Sequence, residues 1–419
     1  MKNVLILSNT FPPAFNPRMG YLCKYLADFG WNPIIIADSP AQNIYPDLAK
    51  NHDITYINYE LSENKFWQKI KYAFVFLADF LFDYKALVLK RKARKKIKQH
   101  HVSLILSSSS YRPYSALAAC QLAKKYHIPF VMDLRDIFEQ MPENDRISKK
   151  TSNARLNNFI TKILTKRYLQ QRNEILSNAN AVTTVSEWHK DLLSAYNNNV
   201  HLIYNGFDPE LFYPKIIKNE QFTISYTGSI EGINIKDPTL FFEAIANLFS
   251  AKKMDIKKIN IQFYLLDEGS KKIAKTLAEK YKIADFIHLY DSVESSEVPK
   301  ILNESSVLLL LANKSTGEDT PKGIMGTKFF EYLAVEKPIL CVRNDEACLE
   351  KTIKSANAGI SASSAKEIEK FLLEKYVEWQ QNGYTHQEVS QKYIQQFSRK
   401  RQAEQFVELF AKTLNNYER

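Results

Sequence analysis

Cysteine is scarce. Cys23, Cys120, Cys341 and Cys348 are the only four in 419 residues, and no two stand as a CxxC pair. Neither a zinc knuckle nor a disulfide framework is thereby indicated, and a reducing, cytoplasmic setting is expected. Eleven glycines and fifteen prolines are too few for a collagen-like or low-complexity chain. Long hydrophobic runs are missing too. The longest apolar-aromatic stretch, Tyr72 to Phe82, is too short for a bilayer span and contains Asp79. Met1–Ser8 has no signal-peptide core and is broken at once by Asn9, Thr10 and Pro12-Pro13. The sequence has no zinc-finger, RNP-like or helix-turn-helix pattern, so nucleic acid is not an expected partner. It also has no internal short-period repeat, which removes a solenoid.

What is present is ordinary globular composition, with 45% hydrophobic and 25% charged residues. Lys and Arg number 57 against 46 Asp and Glu, a net +11 that suits an anionic partner without choosing one. Short apolar runs alternate with longer amphipathic segments. Strands are predicted at Val4–Leu7, Pro33–Ala37, Ile54–Ile57, Leu104–Leu106, Phe130–Met132, Ala181–Val185 and His201–Ile203. A second set follows at Phe222–Tyr226, Ile259–Leu266, Phe286–Leu289, Val307–Leu311, Ile339–Val342 and Ala358–Ser361. Runs such as Ile34-Ile35-Ile36 do not alternate, as expected for parallel strands covered on both faces. The reading is α/β, with two doubly wound Rossmann-like domains. Expected boundaries are 1–205, 206–385 and a helical segment 386–419 packing back toward the N-terminal domain.

Ligands of open α/β sheets sit beyond the carboxyl ends of the strands, so the loops there carry the candidates. After the first strand, Arg18 is a candidate anion contact and Gly20 a point of close backbone approach; no GxGxxG is present. After the fourth come Ser107-Ser108-Ser109-Ser110 and Arg112, with helix capping the competing reading. Asp133-Leu134-Arg135-Asp136 follows the fifth; three charges there must be paired or used, with an internal Arg135–carboxylate pair as the plain alternative. The richest segment is Ser315–Pro338. Gly323 and Gly326 suggest a tight loop, Gly326-Thr327 opens a helix, and Lys328 puts a cation in its first turn, where the helix dipole disfavours one unless an anion is bound. Glu331, one turn along, suits a diol.

Thr327 to Pro338 resembles the donor-site signature of the GT-B retaining glycosyltransferases of family 4, roughly (S/T)K-x-x-EY-x-A-x-x-KP. Phe11-Pro12-Pro13, Asp133-Leu134-Arg135-Asp136, Val185-Ser186 with Asn205-Gly206-Phe207-Asp208 and Phe212, and Tyr226-Thr227-Gly228-Ser229-Ile230 with Lys236-Asp237-Pro238 resemble further family stretches in the same order. The resemblance spans nearly the whole chain. It implies a GT-B fold, its two Rossmann-like domains facing across a cleft, and transfer of a hexose-type sugar, with retention, from a nucleoside-diphosphate sugar to a glycan or lipid-linked acceptor, in the manner of bacterial surface-polysaccharide enzymes. It implies donor binding by Gly228, Ser229, Lys236, Tyr290, Gly323, Gly326, Thr327, Lys328 and Glu331, acceptor-side roles for Arg18, Gly20, Ser109 and Arg112, and catalysis at Asp133, Arg135 and Asp136.

GT-B enzymes need no bound metal, and the chain has no Asp-x-Asp; no cofactor or metal is expected. Two features depart from the family. The first of its two glutamates falls on Gly323, with Glu318 and Asp319 earlier in the loop. None of the eight histidines sits where members present one to the sugar. The rival readings are a nucleotide-sugar epimerase or hydrolase on the same fold and a non-catalytic partner subunit. A basic segment, Lys85 to Lys98, carries an apolar stripe of Ala86, Leu89, Ala93 and Ile97, and aromatic residues from Phe66 to Phe82 precede it. They suggest either a helix packed on the sheet or peripheral contact with an anionic membrane.

Overall fold

A computed structural model describes residues 1–59, 65–109, 111–140, 153–232, 235–313, 324–343 and 348–417, with the side chains of 65, 66, 68 and 69 excepted. All thirteen predicted apolar runs are strands, and they divide into two parallel sheets. Residues 1–204 and 399–419 form one compact unit and residues 205–398 a second.

The first unit begins β1 (Lys2–Ser8), α1 (Pro17–Leu26), β2 (Trp31–Asp38), β3 (Asp53–Ile57), α2 (Lys65–Phe82) and α3 (Tyr84–Gln99). It continues through β4 (Val102–Ser109), α4 (Tyr114–Tyr126), β5 (Phe130–Leu134), α5 (Ala154–Asn178), β6 (Ala181–Thr184), α6 (Glu187–Ser194) and β7 (Val200–Leu202). The strand order is β3-β2-β1-β4-β5-β6-β7, which is doubly wound with its switch point between β1 and β4. Neighbouring residues of β1 serve opposite faces: Leu5 and Leu7 pack with α3, α4 and α5, while Val4 and Ile6 pack with α1. That two-sided burial is why these strands read as unbroken apolar runs.

The apolar stripe of α3 is spent in this core. Ala86, Leu89 and Ala93 are buried against the sheet, with Ile97 packed beside them, and Lys96 bonds Asp53 at 2.7 Å. The stripe is therefore not available to a membrane.

The second unit contains β8 (Phe222–Gly228), α7 (Thr239–Ser250), β9 (Ile259–Leu265), α8 (Glu268–Lys280), β10 (Ile287–Asp291), α9 (Val298–Asn303) and β11 (Val307–Leu311). It ends with α10 (Thr327–Ala334), β12 (Ile339–Val342), α11 (Cys348–Ala356), β13 (Gly359–Ala362), α12 (Ala365–Asn382) and α13 (Gln391–Ile394). Its order, β10-β9-β8-β11-β12-β13, repeats the doubly wound pattern, with the switch point between β8 and β11. Phe222, Phe263, Phe242 and Trp379 anchor the core under α7, α8 and α12. The unit runs to Ser398, so residues 386–398 stay with it rather than with the terminal helix.

That helix, α14 (Arg399–Tyr417), belongs to the first unit. Its Phe406 and Phe410 complete the α1 face of the sheet, with Phe410 edge-on to Trp31 at 5.2 Å.

One buried ion pair ties the first unit together. The Arg18 side chain is 1% exposed and that of Asp133 fully buried. Arg18 Nη2 and Nε donate to Asp133 Oδ1 at 2.9 and 3.1 Å, and Nη1 donates to the Tyr204 carbonyl at 2.9 Å. Thr183 and Ser108 hydroxyls donate to the carboxylate at 2.7 and 3.3 Å, and the guanidinium lies 5.2 Å from the Phe406 ring. The pair therefore links α1, β4, β5, β6, the chain after β7 and α14. Removing one partner of such a pair strands a buried charge, at a cost of about 3–5 kcal/mol. Arg18→Met is expected to lower the unfolding free energy of the first unit by that amount in urea titration. A loss below about 1 kcal/mol would show that the pair does not organise the unit.

Candidate active sites

The two switch points gather most of the candidate residues. In the second unit, β8 ends at Thr227-Gly228 beside the start of α10. The Tyr226 ring lies 4.6 Å from Lys328 Nζ, and this ammonium donates to the Thr227 carbonyl at 2.5 Å. Gly228 has φ +122°, and a Cβ there would lie 2.1 Å from the Lys328 ammonium; only glycine leaves the lysine this position. Burial, with Lys236 nearby, pushes the Lys328 pKa down to about 7. The Lys328 amine in the first turn of α10 is thus held by one carbonyl and a ring rather than by a carboxylate, and burial disfavours its charged form.

The other residues expected on the donor side are placed as follows. Glu331 is half-buried one turn along α10 and close enough to raise the Lys328 pKa. Tyr332 OH lies 3.1 Å from the Thr227 hydroxyl, fixing α10 to β8. Thr227 is thereby held from two sides. Ser229 offers its carbonyl to Tyr226 OH at 2.6 Å. Lys236 is ion-paired with Glu231, and next to it Asp237 accepts from Arg343 Nη2 at 2.6 Å. Tyr290 lies on the edge strand β10, stacked on Tyr264 at 4.9 Å. Gly326 is the N-cap residue of α10 and Thr327 its first residue; Gly326 has ordinary extended backbone, and a Cβ there would meet nothing within 4 Å. The tight-loop reading of Gly326 is therefore corrected: local backbone does not require glycine there. Gly323, Glu318 and Asp319 lie outside the described residues. Lys337, part of the matched motif, is buried, and burial pushes its pKa down to about 8.

In the first unit several expectations change. Arg18 and Asp133 are consumed by each other, so Arg18 is not an acceptor-side anion contact and Asp133 is not placed as an acid or base. The carboxylate's partner is Arg18, not Arg135. Arg135 Nη1 instead donates to Asn16 Oδ1 at 3.0 Å, the oxygen that also accepts from the Met19 backbone N–H at the start of α1. Asp136 is half-buried and makes no hydrogen bond or ion pair with the described residues. Gly20 is a packing glycine: a Cβ there would lie 2.7 Å from Pro12 Cγ and 3.0 Å from Leu48, so close approach is to the protein itself. Ser109 is buried and bonds Ser115 at 2.9 Å, and the N-cap residue of α4 is Pro113, without a side-chain cap; Ser110 lies outside the described residues. Arg112 is half-buried, its carbonyl accepting from Asn9 Nδ2 at 2.7 Å across the switch point.

Two groups escaped the sequence reading. Asp38 ends β2, accepts from Tyr114 OH at 2.6 Å and faces Lys85 at 3.7 Å. Burial raises its carboxyl pKa, against the pull of Lys85. Its position directly after the Ile34–Ala37 run was the available signal. His189, in the first turn of α6, is 1% exposed, and neither ring nitrogen is hydrogen-bonded among the described residues. Burial lowers its pKa to about 4, keeping it neutral. Its sequence neighbourhood offered no signal, because only the fold turns it inward.

Residues 18–211 match the family model described as Glycosyltransferase Family 4. No curated protein matches the sequence. Among solved structures, a glycosyltransferase from Rickettsia africae is similar at TM-score 0.66 and 14% identity, covering 99% of each chain. Anabaena HepE in complex with UDP and glucose is similar at TM-score 0.62 and 12% identity, covering 98% of this chain and 100% of that one. A sucrose-phosphate synthase from Thermosynechococcus elongatus is similar at TM-score 0.61 and 13% identity, covering 99% and 100%. The two-domain α/β architecture is thus that of the GT-B glycosyltransferases.

The Lys328 environment has a pH consequence. An anion bound beside an amine of pKa about 7 raises that pKa, so binding takes up a proton at neutral pH. Affinity for a nucleoside-diphosphate sugar is expected to be greatest below pH 7 and to weaken as pH rises through about 7 to 8. Calorimetric titrations of wild type and Lys328→Met across this range test it. The variant should bind more weakly and show no such slope; an equal slope in both would remove Lys328 from the anion site.

Proposed function

We propose that the chain is a glycosyltransferase that moves a hexose-type sugar, with retention, from a nucleoside-diphosphate sugar to a glycan or lipid-linked acceptor. The setting proposed is synthesis of a bacterial surface polysaccharide, capsule, O-antigen or exopolysaccharide, on the cytoplasmic side. The observation that carries the reading is the start of α10 at the second switch point. There the helix N-terminus, Lys328 and Gly228 meet in a chain whose residues 18–211 match a glycosyltransferase family. Exposed N–H groups and a weakly held ammonium are what a diphosphate needs. The structural likeness to a protein crystallised with UDP and glucose supports the same assignment.

In this reading the diphosphate draws the Lys328 ammonium from the Thr227 carbonyl, and Glu331 accepts from the ribose hydroxyls. Lys236 adds charge once released from Glu231. The leaving diphosphate is offset by these cations and by the α10 dipole, and no metal or cofactor is required. On the first unit, Asp136 and Arg135 remain for the acceptor, with Arg112 on the neighbouring strand end. Asp133 positions α1 and β5 through Arg18. Its enclosure by a guanidinium and two hydroxyls speaks against a carboxylate-driven epimerase or hydrolase that relies on it.

The test starts with thermal shift against a panel of UDP-, GDP- and other nucleoside-diphosphate sugars. A ligand at about 100 times its dissociation constant should stabilise by about 2.7 kcal/mol. Glu331→Ala should then weaken free nucleotide and nucleotide-sugar alike, by about 1.5–3 kcal/mol, as expected for a hydrogen bond to a charged group. Unchanged affinity in a folded variant would remove Glu331 from the site. Conversion of the donor without any acceptor, at the rate of transfer, would replace the transferase reading with an epimerase or hydrolase.

A further inference from the structure

The helix α2 is built inside out. Among its described side chains none is buried, although the helix is rich in phenylalanine. Trp67, Ile70, Phe74, Leu77 and Leu81 recur at three- and four-residue spacing, which places them on one face. All five are exposed, Phe74 to 66%. The start of α5 repeats the pattern: Leu156, Phe159 and Ile163 share one face, with Phe159 62% exposed. The two helices meet where Arg167 and Gln171 of α5 donate to Asp83, just after α2, each at 2.9 Å, and where Arg167 lies over the Phe80 ring.

Charge is gathered on the same elements. The helices α2, α3 and α5 carry sixteen Lys and Arg against only Asp79 and Glu174. Outside them acids outnumber bases, forty-four to forty-one. The chain's positive excess is therefore local to α2 and α5, which turn apolar side chains outward, and to α3, which packs beside α2 with its bases outward. No described helix is long and apolar enough to cross a membrane. Apolar stripes flanked by basic residues suit the interface plane of an anionic bilayer, where aromatic side chains enter the headgroup boundary and lysines meet lipid phosphates. A second copy of this chain would bring an equally basic face, which repulsion disfavours.

We propose that α2 and the first half of α5 form a surface that docks on anionic lipid, with Trp67, Phe74, Leu77 and Phe159 entering the interface. Lipid contact thus belongs to the outward stripes and not to the stripe of α3. This inference goes beyond the transferase reading and does not depend on it.

The test uses the full chain and needs no sugar donor. Vesicles of phosphatidylcholine alone, or of phosphatidylcholine and phosphatidylglycerol in equal parts, are sedimented with the protein at low and physiological salt. Wild type is expected to pellet with the anionic vesicles, less at higher salt, and to stay in solution with phosphatidylcholine alone. The double variant Phe74→Ser, Leu77→Ser and the single variant Phe159→Ser should each bind about tenfold more weakly or worse, with unchanged thermal midpoints because these side chains are exposed. Lys162→Gln with Lys166→Gln should weaken binding and flatten the salt dependence. Tryptophan emission should shift to the blue on binding, and Trp67→Phe should abolish the shift. The proposal is overturned if wild type stays in solution with both vesicles, or if the serine variants bind like wild type. It is also overturned if light scattering shows a wild-type dimer that Phe74→Ser dissolves. Because binding is read without donor or acceptor, loss of vesicle binding leaves the transferase assignment standing, and an inactive chain that still pellets leaves the surface standing.

Discussion

A guanidinium and a carboxylate, both out of water, decide how the first unit is arranged. Each charge would be costly alone in the interior, and each is satisfied only because the other, two hydroxyls and a backbone carbonyl converge on it. The geometry of the surrounding loops follows. Arg18 can reach Asp133 only if α1 starts where it does, and the cap of α1 is Asn16. The same Asn16 oxygen accepts from Arg135, so the orientation of Arg135 at the strand end is inherited from the loop that delivers Arg18. Arg135 at the strand end is thus held by the same loop that supplies the buried pair.

The second unit handles its cation in the opposite way. Lys328 also lies at a switch point, yet it has a carbonyl and an aromatic ring where Arg18 has a carboxylate. Burial lowers its pKa to about 7, whereas a matched carboxylate would have raised it. An arrangement that leaves a positive charge short of compensation favours an incoming anion. Gly228 makes this possible by giving up the space a side chain would fill. The contrast separates a cation that builds the fold from one left short of compensation, and it rests on partners rather than on residue type.

That distinction explains what was legible in the sequence. Strands buried on both faces appear as unbroken apolar runs, so both sheets and the loops at their carboxyl ends could be located. The candidate residues Gly228, Lys328 and Glu331 could be singled out because they are near neighbours on one helix and the strand beside it. Partners across the sheet could not. Arg18 and Asp133 are 115 positions apart and come together only through the strand order, so the pairing was sought within Asp133 to Asp136. Gly20 shows a second limit, since a glycine that admits Pro12 and Leu48 looks the same in sequence as one that admits a ligand. Asp38 was within reach of the strand-end rule, while the inward turn of His189 is a property of the assembled fold.

The helices α2 and α3 show a third limit, and it bears on what the net charge means. Periodicity reveals that a helix has an apolar face but not which way the face turns. In α3 the stripe is inside and the lysines outside, the usual solution; in α2 the stripe is outside. Exposing aromatic residues opposes folding unless something else covers them, and natural sequences tolerate such conflicts chiefly where function requires them. The charge distribution points the same way. A diphosphate held, as proposed, by a helix N-terminus and one or two lysines would not call for an excess of +11, and the excess is not found in the unit that contains α10. It lies on α2, α3 and α5 of the first unit. The α10 start and the basic surface are therefore separate features of the sequence, carried by separate units, and neither can be inferred from the other.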